Sequence, residues 1–149
     1  MFKGKGSGGR LADLFTRRPG DDRSSGDAPG TTKAVGDRAE DRALDHLLRQ
    51  GLSLVTRHYR LAGGPRQRGA EIDLILLDRD GTLVFVEVRA RRSRDHGGAA
   101  ASIDGRKQQR IVRAAQHYLM RHAAPPPCRF DVVAIDGDRL EWLRGAFSA

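Results

Sequence analysis

Within EIDLILLDRDGTLVFVEVR, residues 71–89, two acids stand inside the runs of apolar residues that flank the central DRDG: Asp73 near the start and Glu87 near the end. Carboxylates suit a hard divalent cation, Mg²⁺ or Mn²⁺, which takes one or two of them and completes its shell with water and phosphate oxygens. Whether the two acids meet depends on the turn between them. Reading Arg79-Asp80-Gly81 as a three-residue hairpin loop puts glycine where the backbone must be left-handed, a conformation it adopts without steric cost. That register sets Leu77 opposite Leu83, Ile75 opposite Phe85, Asp73 opposite Glu87 and Glu71 opposite Arg89. The other face then carries Ile72 with Val88, Leu74 with Val86 and Leu76 with Val84. Directly opposed carboxylates lie about 5 Å apart at Cβ and repel unless a cation lies between them. A bound metal meets that need. So does a structural salt-bridge network with Arg89 or another arginine, and a two- or four-residue loop would place the acids on opposite faces.

Two more side chains have spacing that aims them inward. Glu40 precedes Ala43, Leu44 and Leu47 by three, four and seven residues, which puts it at the N-terminal end of a helix's buried stripe. Interaction with the helix dipole is the plainer account of an acid there. Lys107 precedes Ile111, Ala114 and Tyr118 by four, seven and eleven residues, so it points towards the sheet. A long lysine can also reach back to water from such a place.

The elements that must position these residues follow from periodicity. GDRAEDRALDHLLRQG, from Gly36, spaces Ala39, Ala43, Leu44, Leu47 and Leu48 as one helical face and is stopped by Gly51. Residues 52–61 alternate as a strand, and 62–70 form a loop by composition. Strands over 71–77 and 83–89 flank the DRDG turn, both apolar on both faces and therefore central in a sheet covered on each side. A basic, Gly- and Ala-rich connection over 90–102 leads to a helix from Ile103 to about His122, ended by Pro125-Pro126-Pro127. Phe130–Ile135 is a strand, and Gly137-Asp138 turns it into a short last one, Leu140–Leu143. The order α-β-β-β-α-β-β is that of an α/β fold with a mixed sheet. Residues 34–149 form one domain. Residues 1–33, rich in Gly, Ser, Asp and Arg, are read as a disordered basic tail.

The net charge is +8 at a pI of about 10.7, and its distribution matters more than its total. Residues 89–129 hold ten Lys/Arg against two acids, whereas 34–88 hold eight against nine. A strongly basic stretch just after an acidic site suits a polyphosphate ligand, the cations taking phosphates while a metal engages the reacting one. A basic surface kept for solubility is the competing account. The single cysteine, Cys128, excludes an intramolecular disulfide and a cysteine-based zinc cage, and is read as a small buried side chain. The five histidines, at 46, 58, 96, 117 and 122, show no HxH or HExxH spacing and are read as surface or structural residues. No apolar run is long enough to span a membrane and no secretory signal is present, so a cytoplasmic protein is expected.

Taken together, GDRAEDRALDHL, GAEIDLI, FVEVRARRS, GGAAASI followed by Lys107, and CRFDVVAI resemble the YraN family of uncharacterised nuclease-like proteins, from about Gly36 to Phe147. That family is similar in fold to restriction endonucleases and archaeal Holliday-junction resolvases, with a PD-(D/E)xK type of metal site. The resemblance implies a restriction-endonuclease-like α-β-β-β-α-β core. Glu40 matches the helix acid, Asp73 the strand acid, Glu87-Val88-Arg89 the ExK element and Lys107 the lysine of the second helix. Glu71 belongs to the GEID motif, in which Ala70 replaces the usual glycine. It implies Mg²⁺ or Mn²⁺ on Glu40, Asp73 and Glu87, with Asp73, Glu87, Arg89 and Lys107 as the catalytic group. The expected activity is a metal-dependent endonuclease on DNA, including branched or recombination intermediates, with Arg91, Arg92, Arg94, Arg106 and Arg110 gripping phosphates. Arg89 departs from the motif's lysine: an arginine stays charged and cannot act as a base, though it can bind phosphate. A nuclease-like fold that binds nucleic acid without cutting it is the alternative, and a protein-interaction adaptor the third. Junction-cleaving enzymes of related fold act as dimers, so the resemblance also implies a homodimer, for which no patch is legible.

Overall fold

The computed structural model describes residues 30–91 and 103–149, Arg91 by its main chain alone. The first 29 residues of the expected tail and most of the connection after the hairpin, with Arg92 and Arg94, lie outside the described residues. Thr31 caps helix α1 (Thr32–Arg49), its hydroxyl accepting from the Ala34 N–H at 3.2 Å. The cap starts the helix four residues before Gly36, since the local cap decides a helix start where the apolar stripe has not yet begun. Strands β1 (Ser53–Leu61), β2 (Ala70–Leu77) and β3 (Leu83–Arg91) follow, then α2 (Gly105–Leu119), β4 (Cys128–Asp136) and β5 (Arg139–Phe147).

The sheet is mixed, in the order β1-β2-β3-β4-β5. Only the β3–β4 pair is parallel, joined by the crossover through α2, and the other neighbours are antiparallel. The order α-β-β-β-α-β is the one expected of a nuclease-like fold, with β5 added at the edge. Helix α1 covers one face, where Ala39, Ala43 and Leu47 meet Leu74, Leu76, Val84, Val86, Val133 and Ile135. Helix α2 covers the other, where Ile111, Ala114, Ala115 and Tyr118 meet Ile72, Ile75, Leu83, Phe85 and Phe130. The hairpin strands are buried on both sides, as their two apolar faces require.

The turn has the expected form. Leu77 pairs with Leu83, the Asp78 N–H donates to the Thr82 carbonyl at 2.9 Å, and Gly81 has a φ of 86°. Three further details differ from expectation. Helix α2 begins at Gly105, because the Asp104 carboxylate caps it by accepting from the Lys107 N–H at 2.8 Å. Strand β5 runs on to Phe147, whose ring stacks on Phe130 at 5.0 Å. Cys128 is exposed, since it opens β4 ahead of the first core residue, Phe130. No helix among the described residues is long and apolar enough to cross a membrane.

Candidate functional site

The β2–β3 ladder runs from Leu77–Leu83 to Leu74–Val86 and ends there. One residue further, the Asp73 side chain replaces a main-chain partner: its Oδ2 accepts from the Val88 N–H at 2.8 Å. The β1–β2 ladder passes from Arg57–Leu74 to Tyr59–Ile72, leaving Asp73 and His58 between them, and His58 has a φ of 50°. The alternation of the strand breaks at this point. Ala70 and Ile72 pack on the α2 side, whereas Leu74 and Leu76, of the same parity, pack on the α1 side. The expected pairs Ile72–Val88 and Glu71–Arg89 therefore do not form. Glu71 turns to β1, accepting from Arg60 Nε at 3.3 Å and facing His58 Nδ1 at 3.2 Å.

The strands part around an acid pair. Glu87 is 4% exposed, and its Oε1 lies 3.1 Å from Lys107 Nζ and 4.0 Å from Arg89 Nη1. Its Oε2 is buried with no hydrogen-bond partner. Burial and the charge on Asp73 push the Glu87 carboxyl up to about 7, against the pull of Lys107. Burial also raises Asp73, opposed by the Val88 N–H and Lys107. In the absence of a cation, two carboxyls this close and this dry favour holding a proton between them. Lys107 comes into place because the Asp104 cap starts α2 three residues before it, so the apolar stripe carries its amine down to the sheet.

Glu40 approaches from α1. Its Oε2 lies 3.1 Å from His58 Nε2 and 3.5 Å from Arg57 Nη2. Burial raises its pKa and so does Asp73, while His58 and Arg57 lower it. His58 thus bridges Glu40 and Glu71, one on each ring nitrogen. Nothing in the spacing of the histidines points to His58. Its place is set by the β1–β2 register, which only pairing reveals. Asp73 interacts with Glu40 on one side and Glu87 on the other, but among the described residues no three His, Cys, Asp or Glu side chains close into a metal-binding group. Of the expected phosphate-gripping arginines, Arg106 is exposed on the first turn of α2 and Arg110 half-buried one turn later.

A family model described as "Uncharacterised protein family UPF0102" matches residues 39–135, a span that includes Glu40, Asp73, Glu87, Arg89 and Lys107. The chain belongs to the UPF0102 (YraN) family. A UPF0102 protein of Methylibium petroleiphilum is 74% identical over 119 residues, covering 80% of this chain and 98% of that protein. One of an Acidovorax species is 63% identical over 126 residues, covering 84% and 93%. A solved structure described as "Crystal structure of SSO0001" is similar at a TM-score of 0.42 and 17% identity, over 78% of this chain and 52% of that one. For this UPF0102 chain, the fold assignment rests on its own strands and helices, and the site on the break at Asp73.

Proposed function

We propose that this UPF0102 chain is a metal-dependent phosphodiesterase cutting nucleic acid, with DNA, branched or recombination intermediates included, as its substrate. The observation that carries the reading is the buried Glu87, set against the half-buried Asp73 and with its Oε2 unpartnered. An all-oxygen donor set fits Mg²⁺ or Mn²⁺, and a divalent charge offsets the burial and the Asp73 charge that raise the Glu87 carboxyl. Asp73 and Glu87, with the Val88 carbonyl, would hold the ion, and Glu40 would bind through water or orient the nucleophile. Bound there, the ion supplies polarisation of a phosphoryl oxygen and a water of lowered pKa. Lys107, 3.1 Å from Glu87, places a positive charge where a phosphate accumulates negative charge in the transition state. The Arg89 guanidinium would bind phosphate oxygen rather than act as a base.

The test is incubation of the full chain with Mn²⁺ and linear, single-stranded, flapped and four-way DNA. The expected result is a cut or nicked product that Asp73→Ala abolishes while binding persists. Metal-independent cleavage, or full activity of that variant, overturns the reading. Arg89, standing where lysine is expected, favours a second reading: a nucleic-acid-binding module without turnover. Its signature is salt-sensitive binding with no metal-dependent product on any of these substrates.

A further inference from the structure

Residues 62–69, a loop by composition, form a built wall. Gly64 and Gln67 exchange main-chain hydrogen bonds of 2.8 and 3.3 Å, closing a tight turn with Pro65 and Arg66 at its tip. The two limbs touch at Gly63, where a Cβ would come within 2.6 Å of the Gly69 nitrogen and 2.7 Å of the Gln67 carbonyl oxygen. Arg113 of α2 donates to the Arg68 carbonyl, which straps the wall to the helix. Between this wall and the start of α2 lies an open groove of about 690 Å³, lined by Arg60, Arg68, Lys107 and Arg110 against one acid, Glu71. Arg60 already holds Glu71 at 3.3 Å, and Lys107 is shared with the acid pair. Lys107 thus links the groove to Glu87, and the groove carries a surplus of positive charge.

We propose that this groove seats the sugar-phosphate backbone of the nucleic acid next to the acid pair, with Arg60, Arg68 and Arg110 on its phosphates. The inference rests on the nuclease reading above and adds the path of the strand. The named contacts are cationic side chains rather than base-reading ones, so they fix register without selecting sequence. The groove also explains the role of the β1–β2 wall, which would otherwise be an exposed basic turn.

The experiment reads binding of the full chain to a fluorescein-labelled duplex and to its single strand, by anisotropy, in EDTA and over a series of salt concentrations. Arg68→Ala with Arg110→Ala is expected to weaken duplex binding roughly tenfold near 0.1 M salt and to flatten the plot of log K against log salt by about 2. Arg49→Ala with Arg79→Ala removes the same charge from two exposed side chains, at the C-terminus of α1 and in the β2–β3 turn, and should leave both quantities unchanged. Arg68→Glu, a single change at an exposed side chain, should lower affinity by itself, which guards against a double variant that folds poorly. Equal losses in the groove and control pairs, or wild-type binding by the groove variants, overturn the proposal. The two readings fail separately. Groove-dependent binding without a Mn²⁺-dependent product leaves the groove and removes the nuclease; unchanged cleavage and binding in the groove variants do the reverse.

Discussion

Glu87 has an acid, an amine and a guanidinium as its charged neighbours and almost no water, and that combination makes its titration a property of the whole site. Its pKa in the fold, about 7, lies above the ordinary 4.5, so the protonated form contributes stability that is fully present below about pH 4.5 and lost as pH rises through 7. Metal-free protein should therefore lose stability between pH 5 and 8, and Mn²⁺ should restore more of it at pH 8 than at pH 5. Glu87→Gln mimics the protonated acid. In urea titrations without metal it should exceed wild type by on the order of 2 kcal/mol at pH 8 and match it at pH 5, while making no product. A wild type as stable at pH 8 as at pH 5 contradicts this account of the pair. His58 makes a different demand, because its φ of 50° is costly for any side chain and most costly for a β-branched one. His58→Val should lower stability by about 1–2 kcal/mol, whereas His58→Asn, which tolerates that backbone, should lose less. Equal losses would mean that the histidine contacts, and not the backbone, set the cost.

At the scale of elements, the hairpin does two jobs at its two ends. Its turn fixes the register through Gly81 at a φ of 86°, and its open end gives up the ladder so that Asp73 can take the Val88 N–H. Gly81→Ala should cost about 1 kcal/mol in denaturant unfolding with an unchanged m-value, since the strained turn alters stability and not compactness. A changed m-value would indicate a slipped register. The register was legible because a three-residue loop admits one set of partners and glycine marks its left-handed position. The break at Asp73 was not. Nothing in the alternation of apolar residues indicates that a side chain will replace a main-chain acceptor, or that Ile72 and Leu74 will face opposite helices.

Over the whole molecule, a buried polar knot holds the edge of the sheet. Asp131 is fully buried and accepts from Arg129 Nε at 3.1 Å, Trp142 Nε1 at 3.0 Å and the Gly145 N–H at 2.9 Å. Arg129 goes on to Asp78 at 2.8 Å, so β4, β5 and the β2–β3 turn share one network. Removing one partner of such a network strands a buried charge. Asp131→Ala should cost about 3–5 kcal/mol in thermal or urea unfolding, more than any of the site variants. A loss below that of Gly81→Ala would show that water reaches Arg129 and that the knot is not what ties β5 down.

Periodicity and turn chemistry indicated the five strands, the two helices, the hairpin register from Leu77–Leu83 to Leu74–Val86 and a spacing that could aim Glu40 and Lys107 inward, because each depends on residues close in the chain. A helical stripe or a left-handed glycine carries its consequence locally. Tertiary structure alone decided that Lys107 and Arg89 come to the same oxygen of Glu87, that His58 stands between Glu40 and Glu71, and that residues 62–69 wall a basic groove. These contacts join β1, β2, β3 and both helices, and their distances follow from sheet pairing and helix packing rather than from spacing along the chain. The hairpin makes the division plain: local rules bring Asp73 and Glu87 to the same end, and the packing around them buries Glu87 and raises both carboxyls.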